Sequence, residues 1–149
     1  MKTLGSAGMA LVAALVAGEA AAADAAGTVK TVRGAVTVER GGQKAAAVPG
    51  MPVEAADRLV TGPDGSIGIT LRDQTLLTAG PNSTLALERY SFNPTTHGGE
   101  LDAHLKRGSL AVISGKLAKA SPESVRFRTD SVTLGVRGTE FILEASSGQ

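Results

Sequence analysis

Between Gly65 and Leu87 apolar and polar residues alternate in short bursts. Ile67, Ile69 and Leu71 are spaced by Gly68 and Thr70; Arg72-Asp73-Gln74 interrupts; Leu77 and Ala79 follow; Gly80-Pro81-Asn82-Ser83 interrupts again; Leu85 and Leu87 resume. Side chains of an extended chain point to opposite faces in turn, so this period of two predicts strands with one buried face, joined by turns about ten residues apart.

The same pattern fills most of the chain. Val29, then Val36 and Val38 around Gly34, predict two short strands joined at a bend; Gly41 to Lys44 reads as a turn, and Pro49-Gly50 and Pro52 mark a wrapping loop over 45–57. Arg58 to Thr61 is a short strand ended by Gly62-Pro63-Asp64-Gly65, where Pro fixes φ and Gly supplies turn conformations other residues resist. Glu88 to Gly99 is the least regular part and reads as an exposed connection. Leu101, Ala103 and Leu105 then form one inward face, and a break at Arg107-Gly108 precedes a strand from Ser109 to Ile113. Lys116 to Lys119 fits one helical turn. Val125 and Phe127, then Val132, Leu134 and Val136, then Phe141 and Leu143 are expected on buried faces, with breaks at Thr129-Asp130 and Arg137-Gly138. No window outside the N-terminus sustains helical spacing, so the domain is expected to be all-β. Short strands with similar turns and few aromatics (one Tyr and three Phe) favour strands coiled in a β-helix or solenoid-like manner, with a β-sandwich as the alternative.

The N-terminus follows other rules. Lys2 is followed by an uncharged apolar run from Leu4 to Gly18, too short to span a bilayer, and then by Ala21-Ala22-Ala23 before Asp24. This reads as a signal peptide over 1–23, cut between Ala23 and Asp24. A short segment, 24–26, then precedes a domain over 27–145, and 146–149 reads as a disordered tail. Removing Lys2 and Glu19 with the leader leaves 14 basic and 13 acidic residues, a balance that signals neither nucleic acid nor membrane. Cysteine is absent, which removes thiol nucleophiles and thiolate metal sites. The scarcity of aromatics argues against base stacking and sugar stacking. The mature chain is expected to be periplasmic or secreted, with no transmembrane segment.

Candidate chemistry is sparse, and no cofactor is expected. Glu100, Asp102 and His104 fall on one strand face, with His97 nearby; such a set can ligate a metal, but the solvated face of a strand carries the same residues. Ser109 or Ser114 with His104 and Asp102 makes a triad in name only, lacking a nucleophile elbow. Neither pattern specifies catalysis, so no catalytic or metal-binding residue is assigned and the protein is expected not to be an enzyme. Between His104 and Gly138, Lys106, Arg107, Lys116, Lys119, Arg126, Arg128 and Arg137 outnumber Glu123 and Asp130. Arg126 and Arg128 share a strand face, and with Arg137 they form a candidate basic contact surface for carboxylate or phosphate.

The C-terminal block carries a family likeness. Ser114-Gly115-Lys116-Leu117-Ala118-Lys119, Pro122-Glu123, Arg126-Phe127-Arg128-Thr129 and above all Leu134-Gly135-Val136-Arg137-Gly138-Thr139-Glu140-Phe141 resemble the FecR-type domain, named for the iron-dicitrate sensor of Gram-negative bacteria. Gly27 and Val29, Arg33-Gly34 with Val36, Asp57 to Gly62 and the hairpin around Asp73 look like the same family's opening strands. The resemblance implies an extracytoplasmic β-rich domain, partly β-helical in relatives, that works by contact with other proteins. In the sensor branch it relays a signal from an outer-membrane transporter to a cytoplasmic sigma factor. The leader here stands where the sensors carry an anti-sigma segment and a retained transmembrane helix, so the chain resembles a stand-alone exported member. Within the signature, Gly135, Gly138, Thr139 and Phe141 read as structural, and Arg137 as either a clamp or a contact. The expected partner is an envelope or extracellular protein, and the resemblance implies a part in envelope signalling. The rival is an anionic envelope polymer, peptidoglycan or lipopolysaccharide, held by the basic stripe. A metal-dependent enzyme at Glu100, Asp102 and His104 ranks last.

Overall fold

The computed structural model describes residues 25–136 and 140–146. The leader with its junction at Ala23 and Asp24, the signature residues Arg137, Gly138 and Thr139, and residues 147–149 lie outside them. The strands are β1 (Gly27–Arg33), β2 (Val36–Arg40), β3 (Gln43–Ala46), β4 (Pro52–Val53), β5 (Arg58–Thr61), β6 (Ser66–Leu71), β7 (Leu76–Ala79), β8 (Thr84–Phe92), β9 (Gly99–Ile113), β10 (Val125–Arg128), β11 (Thr133–Gly135) and β12 (Glu140–Ala145). One short helix, α1 (Lys116–Ala120), matches the helical turn expected there.

The all-β expectation holds, and the strands do coil about one aliphatic core. They do so as a single 12-stranded sheet bent into a half-barrel. One half runs β4-β1-β6-β7-β9-β12 and the other β3-β2-β5-β8-β9-β10-β11. β9 belongs to both, its first part pairing with β8 and its last part with β7. The chain turns the corner between halves at Gly34-Ala35, at Gly62 to Gly65, at Gly80 to Ser83 and within β9. Each passage runs opposite to the one before, so the result is a stack of bent, antiparallel rungs. Among the described residues, β9 with β10 is the one parallel pair.

The corner is laced by hydrogen bonds that satisfy the backbone where the ladder breaks. Gly62 N–H donates to the Ala35 carbonyl at 2.9 Å and Asn82 N–H to the Gly62 carbonyl at 3.0 Å. The Thr61 hydroxyl donates to the Gly80 carbonyl at 2.6 Å and accepts from Ser83 N–H at 2.8 Å. Ser109 N–H donates to Ser83 Oγ at 3.0 Å. The predicted break at Arg107-Gly108 is therefore a bend inside a continuous strand. Gly108 has φ +91°, and a Cβ there would overlap Ser83, so both backbone and space demand glycine.

Inward faces alternate as the pattern predicts: Ile67, Ile69 and Leu71 on β6, Leu77 and Ala79 on β7, Leu101, Ala103 and Leu105 on β9, all buried in one cluster with Val29, Leu59 and Phe127. Losing a fully buried aromatic such as Phe127 to alanine costs about 3–5 kcal/mol in comparable cores. The structure departs from the pattern at 88–99. β8 continues to Phe92, with Tyr90 and Phe92 buried, and only residues 93–98 form the turn. A bulge between Leu87 and Arg89 inserts one residue and slips the alternation, which hides the strand from period-two reading. Val132, expected inside, is half exposed beside the Thr129 turn. The wrapping loop over 45–57 contributes the two-residue β4 against β1, and Gly41-Gly42, both with positive φ, close the β2–β3 hairpin.

Candidate functional site

Two buried carboxylates hold the surfaces in place. Asp73, in the β6–β7 turn, has no exposed surface. Its Oδ1 accepts from the Tyr90 hydroxyl at 2.9 Å and from Thr75 N–H at 3.3 Å, and its Oδ2 accepts from the Thr75 hydroxyl at 2.7 Å and Leu117 N–H at 3.1 Å. The Asp73 carbonyl takes Lys116 N–H at 2.8 Å. Gly115 offers α1 no capping side chain, so Asp73 supplies the acceptors for its first turn from a distant part of the chain. Burial, with the Asp73 charge beside it, pushes the Tyr90 hydroxyl well above the ordinary tyrosine range. Asp57, also fully buried, accepts from Arg40 Nε at 2.8 Å and Nη2 at 2.7 Å and from Glu54 N–H at 2.9 Å. That two-pronged hydrogen bond holds the Arg40 guanidinium above its usual range. Spacing alone assigns neither aspartate a role; each is a lone acid beside an alternating apolar run.

The outer face of the second half is ionic. Glu88, at the bulge in β8, faces outward beside His104 and Asp102 of β9 and Arg128 of β10. Arg128 bridges Glu88, in close contact, and Asp102, whose Oδ1 lies 3.2 Å from Arg128 Nε. Those carboxylates, Glu88 first, raise the Arg128 pKa. The His104 ring nitrogens lie 3.4 Å from Glu88 and 2.8 Å from Asp130. Farther along the face, Glu39 lies between Lys44 and Arg58, at 3.6 and 3.8 Å. Charges of both signs are therefore mixed across this face. Of the proposed basic surface, Arg128 is engaged by these carboxylates, Arg126 is exposed on a shallow cleft shared with Arg89, Glu100, Asp102 and Glu123, and Arg137 lies outside the described residues. The candidate metal set does not converge: Asp102 and His104 have the partners above, Glu100 points to solvent, and His97 stacks on Phe92 at 5.9 Å in the 93–98 turn. Among the described residues no group of three or more His, Asp or Glu side chains is arranged to hold a metal.

Of the signature residues, Gly135 and Phe141 are described. Phe141 packs edge-on against Phe127, ring centroids 5.3 Å apart, joining β12 to β10 across the core, and Gly135 pairs with Arg126 between β11 and β10.

The remaining feature is backbone. The bent sheet is not closed. Among the described residues β3 and β4 are its edges at one end and β11 and β12 at the other, each bonded to one neighbour. Among the described residues no helix is long and apolar enough to cross a membrane. The chain matches no curated protein and no solved structure. The family described as FecR protein matches residues 57–149, from the buried Asp57 through β12 and more than half of the sequence, and the chain belongs to that family.

Proposed function

We propose that this FecR-family chain is an exported, non-catalytic docking module that binds another envelope or extracellular protein through an open edge of its bent sheet. The family acts in envelope signalling and is envelope-associated in Gram-negative bacteria, which makes a protein partner the natural target. The observation that carries the reading is the open sheet, whose edge strands leave main-chain N–H and C=O groups unpaired by the described chain. Such groups are a template for a partner strand, which gains affinity from main-chain hydrogen bonds and specificity from alternate side chains. The rival polymer-binding reading draws less support, because Arg128 is bridged by Glu88 and Asp102 and the face around it carries both signs.

Salt separates the two readings. Envelope extract passed over the immobilised mature protein should leave one defined protein bound at high ionic strength, since strand addition depends little on screened charge. Glycan or lipopolysaccharide retained only at low salt, and lost on Arg126→Glu, would replace this reading with polymer binding.

A further inference from the structure

The sheet edges are not equally open. β4 is two residues long and contains Pro52, β3 carries Lys44 in a four-residue strand, and β11 has three residues. Short strands, Pro and Lys are the usual means of protecting an edge. β12 has six residues and none of these devices. Its outward side chains are Glu140, Ile142 and Glu144, and Ile142 is 71% exposed, more than any other large hydrophobic residue described.

Ile142 also ends an apolar strip. On the outer face of the first half it stands across from Ala111, while Glu140 stands across from Ile113 and Ile113 from Leu76. Ile113 and Leu76 are themselves 43% and 39% exposed. The strip thus crosses β7 and β9 and runs out at the unpaired side of β12, framed there by two carboxylates.

We infer that β12 is the docking edge, and that its occupant is an extended segment of another protein carrying an aliphatic residue with a Lys or Arg two positions away on each side. This rests on the docking reading and names the partner's chemistry. In register, the aliphatic residue lies beside Ile142 and continues the strip, and the two cations lie beside Glu140 and Glu144. A second copy of the chain fits poorly. The two-fold register that brings the Ile142 side chains together sets Glu140 across from Glu144 twice, and like charges directly opposite oppose pairing.

The test uses labelled nine-residue peptides, one centred on Lys-Thr-Val-Thr-Lys and one on Glu-Thr-Val-Thr-Glu, titrated into the purified protein at low salt with anisotropy as the readout. The basic peptide should bind about tenfold tighter, the scale set by two cross-strand charge pairs. The preference should invert in the Glu140→Lys/Glu144→Lys variant, whose exposed positions leave the fold intact by circular dichroism. No binding of the basic peptide, equal binding of both, or an unchanged preference in the double variant overturns the inference. So does self-association in sedimentation that Ile142→Asp abolishes, because the occupant is then a second copy. The docking reading fails separately, when the parent protein captures no envelope protein at high salt; if the parent does and the double variant captures the same protein at low salt, where charge is unscreened, docking stands and β12 is not its site.

Discussion

Tyr90 is the chain's single tyrosine and tryptophan is absent, so its ionisation can be followed by absorbance without interference. Its hydroxyl accepts from Asp73 N–H at 3.0 Å and donates to the Asp73 carboxylate, in a site that disfavours the tyrosinate. In the unfolded chain tyrosine titrates near pH 10, so below that pH the raised native value costs nothing. Above it the unfolded state releases a proton that the native state keeps, and this group's contribution to stability falls by about 1.4 kcal/mol per pH unit. The tyrosinate band should therefore appear together with loss of circular dichroism, not before it; a band that grows at pH 10 in folded protein would contradict the assignment. Asp73→Ala removes the acceptors of Thr75, Tyr90 and Leu117 at once and should cost about 2–4 kcal/mol, measured by urea denaturation. This cluster was not legible in the sequence. Asp73 and Leu117 are distant along the chain, and only the fold shows that the β6–β7 turn lies against the start of α1.

At the level of elements, strands whose alternation is unbroken, such as β6 and β7, could be read from spacing alone. Those that change phase could not. Leu87 and Tyr90 both point inward because a bulge takes up the odd residue, and Leu105 and Leu110 do so because β9 changes phase near its bend. A period-two reading takes each slip as an end of strand, which is why Glu88 to Phe92 was expected as loop and Gly108 as a break. The bulge leaves Glu88 and Arg89 both exposed before Tyr90 turns back to the core. The order β8-β9-β10 that gathers Glu88, His104 and Arg128 is a property of topology, beyond any local spacing. Gly108 offers the sharpest test of the bend. Gly108→Ala combines an unfavourable positive φ with overlap against Ser83 and should destabilise the fold by about 2 kcal/mol or more. Hydrogen exchange should show lost protection at Ser109, whose N–H bonds Ser83. A variant as stable as the parent would show that the corner tolerates a side chain.

For the whole molecule, the two outer faces differ in kind. The second half presents Glu39, Arg58, Glu88, Asp102 and Arg128, both signs intermixed, a face that solvates well and whose pairs contribute little net stability. Raising salt should therefore leave the melting temperature almost unchanged; a large drop would show that the ion pairs, rather than the aliphatic core, hold the half-barrel. The first half presents Thr70, Thr78, Ala111, Leu76 and Ile113 in its middle, with Glu140 and Glu144 on β12 at one side and Lys30 and Arg33 on β1 toward the other. The sequence signalled a basic stripe, because Arg126 and Arg128 are close together in the chain. It gave no sign of the apolar strip, whose members come from β7, β9 and β12.

The long strand β9 also orders events in time. It touches β7, β8, β10 and β12, and it alone runs through both halves. A chain lengthening from its N-terminus has β1 to β8 before the strand that ties them together, and the pairing of β9 with β7 that joins the two halves is complete only once residue 113 has emerged. A fragment ending at residue 98 should accordingly lack cooperative unfolding. The polypeptide would stay slack and threadable for most of its synthesis, and set into shape in a single late step.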